Sequence, residues 1–286
     1  MTDFRPLLAR TEGVHAPGCY DAFSAALIEQ AGFEAAYLSG ASIAYTQLGQ
    51  PDIGLVSMSE VADVLMRIRD RVDLAIAVDA DTGFGNALNV QRTVRIFERS
   101  GANAIQLEDQ TLPKRCGHLN GKTLVSAGEM VGKVKAALDA RQSEQTLIIA
   151  RTDAIAVEGF EAALDRAEAY LEAGADVLFI EAPASLDDMK RICVRFAEQV
   201  PLLANMVEGG NTPVRTRSEL VELGYRLVIS PGALTRVITP VIEAFLADLQ
   251  EQGSPLEWKD RMLTLSELNE RLKLSEILSQ SETYSD

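Results

Sequence analysis

The sequence of 286 residues contains little histidine, cysteine or tryptophan: two His, three Cys and one Trp. Two histidines are too few for a zinc site built from several imidazole groups. The cysteines, Cys19, Cys116 and Cys193, are odd in number and far apart, which is not the pattern of a disulfide framework. We therefore expect three reduced thiols in a cytoplasmic protein.

Positive charge is also scarce, since 27 Lys and Arg stand against 42 Asp and Glu, for a net charge of −15. Nucleic acids and anionic membranes attract clustered Lys and Arg, so neither is expected as a partner. No apolar run of about 18 residues is present that could span a membrane. The first ten residues carry Asp3, Arg5 and Arg10 and lack the apolar stretch of a secretory signal, which again predicts a cytoplasmic location.

The same order of sequence patterns recurs along the chain: a helical pattern, then a glycine, then a short apolar run. Glycine suits the left-handed position at a helix end, as at Gly32, Gly101, Gly174 and Gly224. Continuous apolar runs are typical of strands that are buried on both faces of a parallel sheet. The predicted strands are residues 15–18, 35–39, 74–79, 104–108, 147–151, 176–181, 202–205 and 226–230.

Eight such strands with helices between them predict an α/β fold, a (β/α)8 TIM-type barrel over residues 1–253. A doubly wound open sheet is the alternative, but no Gly-x-Gly-x-x-Gly motif follows the first strand. Residues 254–286 contain no strand pattern and predict a C-terminal helical extension. Its apolar stripe needs burial, for which we expect a partner subunit.

Nearly every predicted strand ends on a polar side chain, and in a barrel these ends meet at one mouth, where active sites lie. Any one of these side chains could instead cap the helix that follows, but their recurrence predicts convergence on a site. The strand-end residues are Ser39, Asp79 with Asp81, Glu108 with Asp109, Arg151 with Asp153, Glu181 and Asn205.

Three acids of this set, Asp79, Asp81 and Glu108, suit a hard cation. Mg²⁺ prefers oxygen ligands and retains water, so one or two carboxylates together with the substrate are sufficient. Mn²⁺ is an alternative ion for the same ligands. A Schiff-base lysine would be expected at a strand, and none of the seven lysines lies in one.

Residues 113–122 form the most unusual segment, Pro-Lys-Arg-Cys-Gly-His-Leu-Asn-Gly-Lys. Cys116 lies close to Lys114 and His118, and we expect cationic neighbours to lower its thiol pKa toward the range used in acid–base catalysis. Gly117 and a second glycine predict a loop that moves as a lid and excludes water. A solvated basic loop with an incidental thiol is the alternative.

Several segments together form a specific pattern: Tyr20-Asp-Ala22, Tyr37-Leu-Ser-Gly40, Pro51-Asp52, Asp79-Ala-Asp-Thr-Gly-Phe-Gly-Asn86, Leu107-Glu-Asp-Gln110, Lys114-Arg-Cys-Gly-His118, Ala150-Arg-Thr-Asp-Ala154 and Ala204-Asn205. This pattern resembles the isocitrate lyase/phosphoenolpyruvate mutase superfamily along nearly the whole chain. The resemblance implies a (β/α)8 barrel, Mg²⁺ and a small α-oxo or α-hydroxy carboxylate substrate. It also implies a homotetramer, a dimer of dimers that exchange the C-terminal helix.

The resemblance further implies a role for each matching residue. Asp79 would bind the metal directly, with Asp81 and Glu108 acting through water. Cys116 would be the general acid that protonates the carbanion. The other implied positions are Tyr37, Ser39, Gly40 and Asp52 at the substrate carboxylate, Gly117, His118, Arg151, Glu181 and Asn205 around the rest of the substrate, and Tyr37, Lys114, His118, Arg151 and Glu181 as further catalytic groups.

The Lys-Arg-Cys-Gly-His segment is similar to that of lyases acting on methylisocitrate and on alkyl-substituted malates. It implies a Mg²⁺-dependent carbon–carbon lyase that cleaves a 2-hydroxy dicarboxylate to pyruvate or a related α-keto acid. Three alternatives remain open at this point. They are a carboxyphosphonoenolpyruvate-type phosphonomutase, which the segments at Glu108 and Asn205 also resemble, an oxaloacetate-cleaving or decarboxylating enzyme, and a non-catalytic barrel.

Overall fold

The computed structural model describes residues 2–119 and 121–284. Eight parallel strands form its sheet. Each predicted strand is confirmed to within one residue at either end. The strands are β1 (Val14–Cys19), β2 (Ala35–Leu38), β3 (Ala75–Asp79), β4 (Ala104–Glu108), β5 (Leu147–Thr152), β6 (Val177–Ile180), β7 (Leu203–Asn205) and β8 (Leu227–Ser230).

The strand order is β6-β5-β4-β3-β2-β1-β8-β7, so strands that follow one another in sequence are neighbours in space. A parallel bridge between Leu178 of β6 and Leu202, just before β7, brings the two ends of the sheet together. The predicted (β/α)8 TIM-type barrel is therefore confirmed, and the open doubly wound sheet is not formed.

Helices alternate with the strands, and side chains cap many of them. Asp21, for example, accepts a hydrogen bond from the Ser24 N–H, and Ser126 accepts one from the Glu129 N–H. The helices are α1 (Phe4–Leu8), α2 (Ala22–Gln30), α3 (Gly40–Ile43), α4 (Met58–Arg69), α5 (Ala87–Arg99), α6 (Ala127–Ala140), α7 (Phe160–Glu172), α8 (Leu186–Phe196), α9 (Arg217–Leu223), α10 (Ala233–Gln252), α11 (Leu265–Arg271) and α12 (Leu274–Glu282).

The apolar core has two parts, one between sheet and helices and one inside the barrel. Small side chains such as Ala16, Ala77 and Ala104 line the interior, because a ring of eight strands leaves little room. Helix α1, which the sequence patterns did not predict, adds Phe4 and Leu7 to this interior cluster. It packs at the end where the strands begin, which leaves the opposite end as the mouth.

Contacts divide the chain into two compact units, Met1–Thr235 and Arg236–Asp286. Within the second, Trp258 packs edge-on against Phe245 at 5.5 Å between ring centroids and donates a hydrogen bond to Asp248 at 2.6 Å. The boundary that we predict between a barrel, residues 1–253, and an extension, residues 254–286, stays a prediction. None of the helices in the described part of the chain has the length and apolarity needed to cross a membrane.

Candidate active site

The carboxyl ends of the strands bring an unusual amount of charge to the mouth. Apart from Asp109, which pairs with Arg166 at 3.3 Å, six carboxylates and three cationic side chains there are buried. Buried charges are costly unless they are paired, so this surplus of negative charge suits the binding of a cation. The carboxylates are Asp52, Asp79, Asp81, Glu108, Asp153 and Glu181, and the cations are Lys114, Lys122 and Arg151.

Asp79 and Asp81 lie at the end of β3 and in the tight turn that follows it. A Cβ built on Gly40 would be 3.3 Å from Asp79 Oδ2 and 3.7 Å from Asp81 Oδ1, so both oxygens face the space that glycine leaves free. The turn holds Asp81 in the left-handed region, at φ 47°. This strained conformation directs the second carboxylate back toward the first.

Glu108 at the end of β4 is the third predicted ligand. Its Oε2 is 3.2 Å from Arg151 Nη1, whereas its buried Oε1 has no hydrogen-bond partner within the described residues. Burial raises the pKa of this carboxyl well above its usual range, and Arg151 opposes the shift. A carboxylate oxygen of this kind is available to a cation or to a hydrogen-bond donor.

These three acids do not form a ready-made cage: residues 2–119 and 121–284 contain no group of three or more His, Cys, Asp or Glu arranged to hold a metal ion. A hard cation that retains several waters does not need such a cage. The oxygen donors, the space beside Gly40 and the orphaned Glu108 Oε1 therefore fit Mg²⁺ with one direct carboxylate ligand.

Lys114 lies at the same end of the site. Its Nζ is 2.6 Å from both Asp52 Oδ1 and Asp81 Oδ1, and its side chain is buried. Burial raises the pKa of the Asp81 carboxyl to about 7 against the opposing attraction of Lys114. The lysine thus compensates part of the acidic charge and ties Asp52 to the predicted metal ligands.

Arg151 at the end of β5 is held in a defined orientation. Its Nε and Nη2 donate to the two oxygens of Asp153 at 2.9 and 3.0 Å. The same guanidinium lies 3.5 Å from Glu181 Oε2. A bidentate pair of this kind fixes a plane as well as a charge, so the guanidinium is preorganised to face an anion. Asp153 was recognised at a strand end but not included among the predicted site residues.

Glu181 connects the other predicted residues on this side. Asn205 Nδ2 donates to Glu181 Oε2 at 3.1 Å, and His118 Nε2 is 3.5 Å from Glu181 Oε1. The Asn211 N–H donates to His118 Nδ1 at 3.2 Å. Since Nδ1 accepts, the proton of a neutral His118 ring is on Nε2, on the Glu181 side.

The loop after β4 carries Cys116, and here one expectation is wrong. Burial raises the pKa of the Cys116 thiol instead of lowering it, and the nearby charges include Asp52 and Glu181 as well as Arg151. The local sequence showed only cationic neighbours, whereas the fold brings acids to the thiol. The predicted lid motion of this loop stays a prediction.

Gly117 lies where no other residue would fit. A Cβ at this position would be 2.5 Å from Arg151 Nη2 and 2.7 Å from Glu181 Cγ. From the loop itself, Lys122 donates to the Gly117 carbonyl and to Asp153 Oδ1. The backbone between Cys116 and His118 is therefore packed against the Arg151 group.

Tyr37 in β2 and Ser39 just after it have hydrogen bonds within the chain, and their predicted role at the substrate carboxylate stays a prediction. Ser39 accepts a hydrogen bond from the Ser42 N–H and caps helix α3. The Tyr37 hydroxyl donates to Gln106 Oε1 at 2.8 Å. The sequence analysis did not identify Gln106 as a candidate site residue. A polar side chain within the otherwise apolar strand β4 was the signal that could have identified it.

Comparison with known proteins shows that the chain matches a protein family over most of its length. The model of the phosphoenolpyruvate phosphomutase family matches residues 4–250 of the chain. The chain is 44% identical over 282 residues to 2,3-dimethylmalate lyase of Eubacterium barkeri, which covers 98% of this chain and 96% of that protein. It is 47% identical over 263 residues to 2-methylisocitrate lyase of Aeropyrum pernix, covering 92% and 84% of the two chains.

Solved structures of related enzymes also superpose on nearly the whole chain. A crystal structure of 2,3-dimethylmalate lyase superposes with a TM-score of 0.93 and 34% sequence identity, and covers 98% of this chain and 93% of its own. Phosphonopyruvate hydrolase in complex with oxalate and Mg²⁺ superposes with a TM-score of 0.89 and 29% identity, covering 99% and 98%.

Proposed function

The chain belongs to the phosphoenolpyruvate phosphomutase family and is a carbon–carbon lyase of the isocitrate lyase/phosphoenolpyruvate mutase superfamily, as its sequence motifs predict; we propose from this premise that it cleaves an alkyl-substituted malate. The products are pyruvate, or a related α-keto acid, and a second carboxylate. Its relatives carry the names of lyases for 2,3-dimethylmalate and 2-methylisocitrate. These two compounds define the substrate class.

One observation carries this proposal. An acidic group lies beside the preorganised guanidinium of Arg151, which is 3.2 Å from Glu108. In this group Asp79 Oδ2 faces the space beside Gly40, and Glu108 Oε1 has no hydrogen-bond partner within the described residues. A substrate with an oxygen-rich end for the cation and an anionic end for the guanidinium matches both groups. Malates have this distribution of charge.

Mg²⁺ is the cation that we propose, with Mn²⁺ as a substitute. Asp79 would hold it directly, and Asp81 and Glu108 would hold it through water. When bound, it supplies Lewis-acid polarisation of the substrate oxygen on which the new carbonyl forms. The Mg²⁺ complex of the related phosphonopyruvate hydrolase supports this choice.

The residues of the chain then act on the two fragments. As the new carbonyl forms, the C2 hydroxyl gives its proton to one of the carboxylates at the mouth. The electron pair of the broken C2–C3 bond stays on C3, and the Cys116 thiol donates a proton to that carbon. The raised thiol pKa suits this role, because the acid remains protonated at neutral pH. Arg151, held by Asp153, opposes the negative charge that grows on the departing carboxylate.

We also propose that the enzyme is a cytoplasmic homotetramer. Its cysteines are free, which suits a reducing compartment. Within the unit Arg236–Asp286, Leu265 and Ile277 are exposed apolar side chains that a partner subunit would cover if the C-terminal helices are exchanged. Light scattering coupled to gel filtration measures this directly, and a monomer at micromolar concentration would contradict it.

The test of function is α-keto acid release from 2,3-dimethylmalate, methylisocitrate and unsubstituted malate, with Mg²⁺ and with a chelator. We expect chelator-sensitive release from one substituted malate. Oxaloacetate and a phosphonopyruvate belong in the same assay, as the substrates of the alternative activities. Turnover of only these two would contradict the proposed substrate class.

A further inference from the structure

Gln106 forms a buried connection between two residues of the site that do not otherwise share a hydrogen bond. Its side chain is fully buried in the middle of β4. Its Oε1 accepts from the Tyr37 hydroxyl at 2.8 Å, and its Nε2 donates to Asp79 Oδ1 at 3.2 Å. A carboxylate only accepts hydrogen bonds, so Asp79 requires the Nε2 end of the amide, and the Tyr37 hydroxyl then holds the Oε1 end in place.

The connection leaves the two oxygens of Asp79 unequal. Oδ1 accepts from Gln106 Nε2 and from the Asp81 N–H at 3.1 Å, and these are the hydrogen bonds that this carboxylate accepts within the described residues. Oδ2 faces the space beside Gly40 instead. The carboxylate is therefore held by one oxygen while the other is free to bind a cation.

We infer that Gln106 is a positioning residue for the metal ligand Asp79, and that Tyr37 acts on the metal through Gln106. The inference rests on the proposed function in one respect, namely that Asp79 is the direct ligand. It differs from the role that family resemblance implies for Tyr37, which is contact with the substrate carboxylate. Outer-shell hydrogen bonds of this kind orient a ligand and raise its affinity for the ion.

The two roles of Tyr37 make different predictions, and binding of Mn²⁺ to the substrate-free enzyme separates them. Electron paramagnetic resonance gives the dissociation constant without any turnover. We expect Tyr37→Phe and Gln106→Met each to weaken Mn²⁺ binding by about 10- to 100-fold. The double variant should bind Mn²⁺ no more weakly than Gln106→Met alone, because the hydroxyl has no route to Asp79 without the amide.

The matched control is Tyr225→Phe, which removes another buried tyrosine hydroxyl, one whose hydrogen-bond partner is Cys193. It should bind Mn²⁺ as the wild type does. Thermal unfolding of every variant tests whether a loss of binding comes from a loss of folding.

Normal Mn²⁺ affinity in Tyr37→Phe, combined with a raised KM for the substrate, would overturn the inference in favour of substrate contact. Additive losses in the double variant would also overturn it, since independent effects need no connection through the amide. A wild type that binds Mn²⁺ but cleaves no malate would remove the proposed function and leave this inference standing. If the wild type cleaves a malate but both single variants bind Mn²⁺ with unchanged affinity, the proposed function would stand and this inference would be overturned.

Discussion

The two sides of the barrel mouth differ in how far their buried charges are paired within the chain. On the side of β3 and β4, Asp79 presents a free Oδ2 and Glu108 keeps an orphaned Oε1. On the side of β5 and β6, the cations Arg151 and Lys122 pair with the carboxylates Asp153 and Glu181 at 2.9 to 3.5 Å. The first side is incomplete without a ligand, whereas the second is preformed. Variants should therefore affect cation binding on one side and substrate orientation on the other.

The largest effect is expected from Asp79→Ala, which breaks the incomplete side. Loss of the direct ligand should lower kcat/KM by more than about 10³-fold, since a metal ion supplies several kcal/mol of transition-state stabilisation. Steady-state assays over a range of Mg²⁺ concentrations measure this. Asp63→Ala removes an exposed carboxylate from helix α4 and should retain full activity. Unchanged turnover in Asp79→Ala would remove Asp79 from the proposed metal site.

Cys116→Ser tests the loop after β4, which contacts both sides of the mouth. Without the acid, kcat should fall about 10²- to 10⁴-fold while Mn²⁺ affinity stays normal, because the thiol acts on the carbanion. Burial raises the thiol pKa, so wild-type activity should decline only at a higher pH than the titration of a free thiol. Cys193→Ser, a buried thiol of helix α8, is the control for loss of a sulfur atom. If the decline of activity at high pH is the same in Cys116→Ser as in the wild type, a group other than this thiol causes it.

Asp153→Asn disturbs the preformed side. It removes the charge that orients Arg151 and also pairs with Lys122, and breaking a buried pair should cost about 3 kcal/mol of unfolding free energy. A roughly ten-fold rise in KM for the malate should accompany it, since an anion clamp loses its preorganisation. Asp165→Asn changes an exposed partner of Arg195 and is the control. Weakened Mn²⁺ binding with a normal KM would contradict the division between the two sides.

The smallest effect is thermal. A ligand present at about 100 times its dissociation constant stabilises the folded state by roughly 2.7 kcal/mol. Saturating Mg²⁺ should therefore raise the melting temperature by about 5 °C or more in a chain of this size. The same shift should remain in Asp153→Asn and disappear in Asp79→Ala. Differential scanning fluorimetry is sufficient, and a shift that survives in Asp79→Ala would show that the ion binds elsewhere.

Local sequence patterns were sufficient to predict the eight strands and several of the polar residues at their carboxyl ends. Strands buried on both faces are marked by continuous apolar runs, and helix ends by glycine, so local patterns were enough to predict all eight strands. Because the carboxyl ends of barrel strands converge, the polar residues that follow those runs could be assigned to one site. Asp79, Glu108, Arg151, Glu181 and Asn205 were found in this way.

Which of these residues compensate one another, and with what consequence, depends on how the barrel packs distant segments together. Gln106 and Lys122 act on partners 27 and 31 residues away in sequence, Asp79 and Asp153, at distances that no local pattern records. The Cys116 pKa depends on burial and on acids from other elements, so neighbouring cations in sequence gave the wrong direction. Strand patterns follow from local burial, whereas hydrogen-bond partners and the desolvation of a charge are set by the packing of distant segments.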